Sequence, residues 1–258
     1  MPQNETRQIM SKKSGSFTVA DVASFGDMPK STEPKLRYAT FKPEQESEGR
    51  VLRLAAIGGK GIGKTTMLLR IKEPDTFRSA RIGTVGVDIF HQYIYLNEKS
   101  KEVVVKLTLN DFAGEDKFQT MLPAFARDLD GCFIMFDSTD KESFEHARHW
   151  QQELRKSNDY CICMLVATKI DLCSSEETKP WYSLDEMHKC SGDLDCAAGF
   201  AEISTLTKHN LDRAVLRLSQ MAYDAKLLSE AQASGDSINI ANGGGGGGAN
   251  SANKKCAC

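Results

Sequence analysis

The stretch GGKGIGKTT, Gly58 to Thr66, decides how the rest of the chain is read. Gly58, Gly63, Lys64 and Thr65 satisfy the pattern G-x-x-x-x-G-K-[ST]. In that pattern successive backbone N–H groups and a helix N-terminus form a concave nest for phosphate. Gly59, Gly61, Ile62 and Thr66 complete the expected cradle. Lys64 is placed to reach the β- and γ-phosphates of a nucleoside triphosphate, and Thr65 to ligate Mg2+. Lys60 departs from the pattern, because a long cation stands where such loops carry small residues. It raises the question of whether the protein only holds a nucleotide or also cuts one.

Outward from the loop, apolar runs alternate with amphipathic ones. VLRLAAIGG reads as a buried strand feeding the glycine turn, and TTMLLRI as the helix after it. IFHQYIYL and EVVVKLTL read as strands joined by the polar turn NEKSK. Then come the strand CFIMF, the helix ESFEHARHWQQELRK, the strand CICMLVA, a long polar connection, the short strand FAEI and the helix LDRAVLRLSQMAYDAKLL. Near-continuous apolar strands separated by helices predict an α/β fold with a mostly parallel sheet covered on both faces. Residues 1–49 are rich in Ser, Lys, Glu, Pro and Thr and read as a disordered extension. Beyond residue 228 the apolar pattern fades into six consecutive glycines, 243–248, and the ending KKCAC, a flexible tether.

Two further segments fall at strand ends. In LNDFAGED, Asp111 and Gly114 have the spacing D-x-x-G; Asp111 can hold a magnesium-bound water and the Gly114 amide can donate to a γ-phosphate oxygen. Alone, it reads rather as a strand-ending turn. In ATKIDL, Asp171 can accept hydrogen bonds from N1–H and the exocyclic amine of guanine, a pair adenine lacks, while Lys169 lies along the base plane.

Composition narrows the class. The chain has 258 residues, 40% of them apolar, and a formal net charge of −2, which argues against electrostatic attraction to nucleic acid. The eight cysteines are not spaced as a zinc site or disulfide framework; Cys161 and Cys163 sit in an apolar run as small hydrophobes. MPQNETRQIMSKKSGS has no apolar stretch, so no secretory signal is expected and the thiols are expected to be reduced in the cytosol.

The order and spacing of the three segments resemble the Ras superfamily of small GTPases, and the Rab branch best, from Val51 to about Leu228. The resemblance implies a Ras-like P-loop GTPase fold with a six-stranded, mostly parallel sheet over residues 50–228. It also implies binding of GTP and GDP with Mg2+. FRSARIGTVGVDIF is similar to the first switch, with Thr84 as its magnesium and γ-phosphate threonine and Phe77 against the guanine ring. DGCFIMFDSTDKESF resembles the Rab strand and helix, and EISTLTKHNLDRA the segment that puts Ser204, Thr205 and Leu206 beside the base. Thr168-Lys169-Ile170-Asp171 stands for N-K-x-D, a variant shared with Rho-type relatives. Asn110 and Ile89 replace two aromatics of the Rab effector-facing surface. The links after strand two and after Asp171 are longer than usual for the family.

Cys256-Ala257-Cys258 resembles the C-x-C terminus on which Rabs receive two geranylgeranyl chains, the number that gives stable anchoring. The resemblance thus implies a switch in vesicle traffic on the cytosolic face of an endomembrane, cycling with the cytosol. It implies an exchange factor, a GTPase-activating protein, effectors and a prenyl-binding carrier, and a monomeric chain. Glu115 stands where the family carries the glutamine that orients attacking water, and Arg81 where heterotrimeric G-protein α subunits carry a built-in arginine. Slow hydrolysis is expected. Two other readings stay open: a pseudo-GTPase scaffold that never cycles, and a Ran-like transport GTPase suggested by GEDKF and FIMFD, against which the cysteine ending speaks.

Overall fold

The structure, a computed structural model, describes residues 35–39, 50–78, 84, 86–114, 122–173 and 178–233. The apolar runs become strands: β1 (Val51–Ile57), β2 (Val87–Glu98), β3 (Lys101–Phe112), β4 (Gly131–Asp137), β5 (Ile162–Thr168) and β6 (Phe200–Glu202). Between and after them lie α1 (Lys64–Lys72), α2 (Leu122–Ala126), α3 (Lys141–Ser157), α4 (Leu184–Asp193) and α5 (Leu211–Ala233). The six strands form one sheet in the order β2-β3-β1-β4-β5-β6. Only β2 runs antiparallel to its neighbour.

Both faces of the sheet are apolar, as continuous apolar strands require. Along β1, Leu52, Leu54 and Ala56 join Met67, Leu68 and Ile71 of α1 and Leu211, Val215 and Leu218 of α5 on one side. The alternate residues Ala55 and Ile57 join Phe136, Phe144, Trp150 and Met187 on the side of α3 and α4. Chain order reverses at β1, with β3 on one flank and β4 on the other, and the crevice at such a reversal is where α/β sheets bind ligands.

Four features differ from the sequence expectation. The polar link NEKSK is mostly strand: β2 and β3 run 12 residues each, and only Lys99 and Ser100 turn, at φ of 46° and 66°. Positive φ at both positions is what a two-residue hairpin turn with the right twist demands, and neither residue is the Gly or Asn that would announce it. The polar connection after Asp171 holds α4, opened by a capping box in which Ser183 and Glu186 satisfy each other's backbone N–H. α5 continues to Ala233, past the expected limit near 228. Its outer half grips the hairpin: Gln220 exchanges hydrogen bonds with the Asn97 backbone at 2.8 and 2.9 Å, and Tyr223 Oη donates to Glu98 at 2.6 Å.

The fourth is a correction to the reading of residues 1–49 as disordered. Residues 35–39 lie along β2, with the Ala39 amide donating to Tyr93 O at 2.9 Å and the Tyr95 amide to Arg37 O at 3.1 Å. Leu36 is buried in the core that contains α1 and α5. One leucine entering an apolar seam offsets part of the ordering entropy of a short segment, and the main-chain bonds to β2 add to it.

The hairpin turn generates a prediction. A non-glycine residue in the left-handed region costs about 1 kcal/mol, so Ser100→Gly is expected to stabilise the protein by that order. The thermal midpoint of the nucleotide-bound chain should rise by about 2–4 °C. A fall in the midpoint would show that the turn carries no such strain.

Candidate functional site

β1 ends at Ile57 and the chain turns at Gly58, where φ is 139° and any Cβ would overlap the Met135 carbonyl and the Ile62 side chain. Five residues on, Gly63, at φ 97°, is the N-cap of α1, which starts without a side-chain cap. Its first N–H groups are therefore left for an external acceptor. Lys64, only 6% exposed, donates from Nζ to Gly58 O at 3.0 Å and Gly59 O at 2.6 Å. Burial lowers its pKa to about 8, against the opposing pull of Asp111. Gly114 packs so tightly on this loop that a Cβ there would collide with Lys64 Nζ and the Gly59 carbonyl.

Beside the lysine lies a cluster of oxygens. Thr65 Oγ1 donates to Asp111 Oδ2 at 2.5 Å, Thr84 Oγ1 lies 2.7 Å from Thr65 Oγ1, and Thr84 also reaches Asp111 Oδ2 at 3.2 Å. Asp111 is fully buried, and its Oδ1 has no hydrogen-bond partner among the described residues. Burial raises its pKa, only partly countered by the two threonine hydroxyls and Lys64. An all-oxygen set around an unsatisfied buried carboxylate suits a hard divalent cation.

The other end of the cavity is built from β5 and the loop after β6. Thr168 Oγ1 lies within hydrogen-bond distance of Ile62 O, 2.7 Å, and Phe136 O, 3.0 Å, so one hydroxyl bridges the phosphate loop and β4. Lys169, at φ 60°, donates to Asp137 Oδ2 at 2.6 Å. Burial opposes the Asp137 charge, but the bonds from Lys169 and Thr139 outweigh it and hold that carboxyl below its usual pKa. Ser204, fully buried, donates to Asp171 Oδ1 at 2.5 Å and accepts the Thr207 amide at 3.1 Å.

These parts enclose one cavity of about 360 Å3, within the range of small-molecule sites. It gathers Lys60, Gly61, Ile62, Gly63, Lys64, Thr65, Thr66, Phe77, Thr84, Gly114, Thr168, Lys169, Asp171, Thr205 and Leu206, all expected at the site, with Asp111 and Ser204 bonded to its walls. Gly59 lines an adjoining polar cleft with Lys60, Gly114, Asp140, Glu142, Ser143 and His146. Leu172 and Phe112 line the cavity without having been singled out, and Asp137, which holds Lys169, was also missed. Leu172 directly follows Asp171, and its exposed apolar side chain was the available signal. Arg81, Glu115, Cys256 and Cys258 lie outside the described residues.

At the altered surface positions, Ile89 is half exposed, whereas Asn110 is buried and donates from Nδ2 to Leu54 O at 3.0 Å. The asparagine thus serves the strand pair and offers no contact surface.

A phosphate loop at the sheet reversal, an oxygen cluster beside it and a loop pair at the far end define a nucleotide-binding fold of the P-loop GTPase class. The comparisons agree. Residues 53–224 match the Ras family. Ras-related protein Rab-27B of Bos taurus is 32% identical over 218 residues, 81% of this chain and 96% of its own length. GTP-binding protein ypt2 of Schizosaccharomyces pombe is 29% identical over 191 residues, covering 74% and 90%, and Ras-related protein RABE1e of Arabidopsis thaliana 28% over 210, covering 81% and 92%. The chain belongs to the Ras family and is a Rab-like small GTPase.

The Ser204–Asp171 bond is checkable by itself. Ser204→Ala removes the donor that orients the carboxylate and leaves one of its oxygens unmet. Nucleotide affinity is expected to fall about three- to ten-fold, the scale of one hydrogen bond. Equilibrium titration with a fluorescent nucleotide reads it; an unchanged affinity would show that Asp171 needs no such support.

Proposed function

We propose that this GTPase is a slow, Mg2+-dependent switch of vesicle traffic, held on an endomembrane by two prenyl chains on Cys256 and Cys258. The observation that carries the switch reading is the juncture of Thr65, Thr84 and Asp111 beside Lys64 and Gly114. Thr84 belongs to the first switch and Gly114 to the second, so a γ-phosphate joining them to the loop orders both, and its loss releases them. The threonine hydroxyls, with Asp111 acting through a bound water, would hold the Mg2+, and the unpartnered Asp111 Oδ1 supports that fit. Bound there, the ion supplies positive charge to the phosphates. Asp171, oriented by Ser204, selects guanine, with Phe77, Leu172 and Leu206 offering apolar surface to the ring and Lys169 lying along it.

Slow hydrolysis is supported by two residues of the sequence, with a third left to sustain what turnover there is. Glu115 replaces the water-orienting glutamine. A carboxylate there repels the phosphate; two unit charges about 4 Å apart cost about 4 kcal/mol at an effective dielectric of 20. Lys60 fills the loop position where bulk obstructs an arginine supplied by a GTPase-activating protein. Arg81, three residues before Thr84, is the candidate arginine finger supplied by the chain itself.

Single-turnover assays test the scheme. Wild type is expected to turn over slowly, Arg81→Ala to lose a further factor of about ten or more, Glu115→Gln to gain, and Lys60→Gly to regain sensitivity to a trans arginine. Ordinary Rab-like rates unaffected by Arg81→Ala would refute it, and no turnover in any variant would favour a scaffold that binds GTP without cycling.

The anchor is tested separately. One chain binds membranes marginally and two bind stably. The Cys256→Ser, Cys258→Ser double variant is expected in the soluble fraction of cells, with each single variant weaker than wild type. Unchanged fractionation of the double variant would sink the lipid-anchor reading.

A further inference from the structure

Residues 35–39 sit outside the sequence range that matches the Ras family, yet they touch both elements that lead to the base end of the cavity. Tyr38 bridges to Ile94 on the outer edge of β2 and points its hydroxyl at Asp212, donating to Oδ1 at 3.3 Å. Asp212 is in the first turn of α5. Between it and Ser204 lies one short loop, tied at several points. The Ser204 amide donates to His209 O at 3.1 Å, Asn210 Nδ2 to Glu202 O at 3.1 Å, and the Ala214 amide to Asn210 O at 3.0 Å. Ser204 in turn orients Asp171. A bond that fixes the start of α5 therefore fixes the loop whose serine holds the carboxylate.

Arg70, in the last turn of α1, and Asp75 are also within electrostatic range of Tyr38. Asp75 precedes Phe77 by two residues, and the Thr76 amide folds back on Glu73 O at 3.1 Å. Leu36 enters the apolar core shared by Ile71 of α1 and Leu211 and Val215 of α5. Arg37 stacks on Tyr95 at 4.7 Å and pairs with Glu102, which fixes the segment along the hairpin. Burial and the Asp212 charge also keep the Tyr38 phenol protonated far above its usual range, so it stays a donor.

We propose that this segment is a brace for the base end of the site, with Tyr38 as its positioning residue, and that it sets how long guanine nucleotide stays bound. The inference rests on the assignment of Asp171 and Phe77 to the base. Tyr38 touches no nucleotide; it acts through Asp212 and the Ser204 loop.

The test uses the full chain loaded with fluorescent GDP. Tyr38→Phe keeps the ring and removes the donor. Release is expected to quicken by about three- to ten-fold, as for one lost hydrogen bond. Asp212→Ala is expected to do the same, and the double variant to be no faster than either single one, because both remove one shared bond. The ratio of inosine diphosphate to GDP release should narrow in Tyr38→Phe, since a loosened Asp171 gains less from the exocyclic amine. Single-turnover hydrolysis of bound GTP should not change. If release and that ratio are unaltered while the thermal midpoint falls, the segment is only a cover for the β2 edge and the inference is overturned. Asp171→Asn separates the two layers. If it leaves guanine selectivity intact, the base assignment fails and this inference with it; if it abolishes selectivity while Tyr38→Phe does nothing, the inference alone fails.

Discussion

A buried ammonium whose desolvation a nearby buried carboxylate only partly offsets is the constraint on which the rest of this molecule depends. Lys64 is almost wholly removed from water and is held by two backbone carbonyls of its own loop. Removing a cation from water costs several kcal/mol, and carbonyl dipoles return only part of that. The depressed pKa of Lys64 and the raised one of Asp111 are the two halves of the same strain, each charge penalised by desolvation. An anion in the loop relieves the first, and a cation among the oxygens relieves the second. A nucleotide phosphate together with the proposed Mg2+ would supply both. The glycines follow from this close packing: Gly58 presses against the Met135 carbonyl and Ile62, and Gly114 against Lys64 Nζ and the Gly59 carbonyl, so that no side chain fits at either.

The loop is not free to adjust independently of the base end. Thr168 bridges Ile62 and Phe136 through one hydroxyl, and Lys169 is pinned to Asp137 at the end of β4. An asparagine would offer both a donor and an acceptor at this position; threonine offers a single proton that serves one carbonyl at a time. The substitution keeps the mechanical link between phosphate loop and base loop while giving up the second bond. Asp137 then matters more than its place in the family pattern suggests. It is a strand-end carboxylate whose charge is sustained by Lys169 and Thr139, and it fixes a lysine whose backbone is already in the left-handed region.

Much of this was legible in the residues, for identifiable reasons. Continuous apolar strands and a glycine-rich turn between strand and helix depend on local pattern, so the sheet and the phosphate loop could be read directly. The cavity's two ends could also be read, because Asp111 closes one strand and Asp171 follows another, and the sheet aligns both strand ends with the loop. What could not be read depends on contacts distant in sequence. The turn at Lys99-Ser100 uses residues that do not announce positive φ; it is held by α5 more than 100 residues later, as Gln220 and Tyr223 show. Likewise, nothing local marks Leu36 or Tyr38 within a polar extension, since their partners lie in β2 and α5. The capping box at Ser183 was present in the sequence, and it was obscured by the polar stretch around it.

The long hairpin explains the other extensions. A 12-residue β2 is a sheet edge of roughly 40 Å, and such an edge left bare is a template for pairing with another chain. Three devices act on it. Lys99 and Lys101 place charge at its tip. α5 runs on to Ala233 and ties down Asn97 and Glu98. Residues 35–39 occupy its middle with main-chain hydrogen bonds to Tyr93 and Tyr95. The stretch from Val87 to Phe90, nearest the switch, is the part none of these covers, and it carries the exposed Ile89. Lengthening the hairpin therefore goes together with a longer helix at its tip and an N-terminal segment along its middle, two extensions that answer one exposed edge.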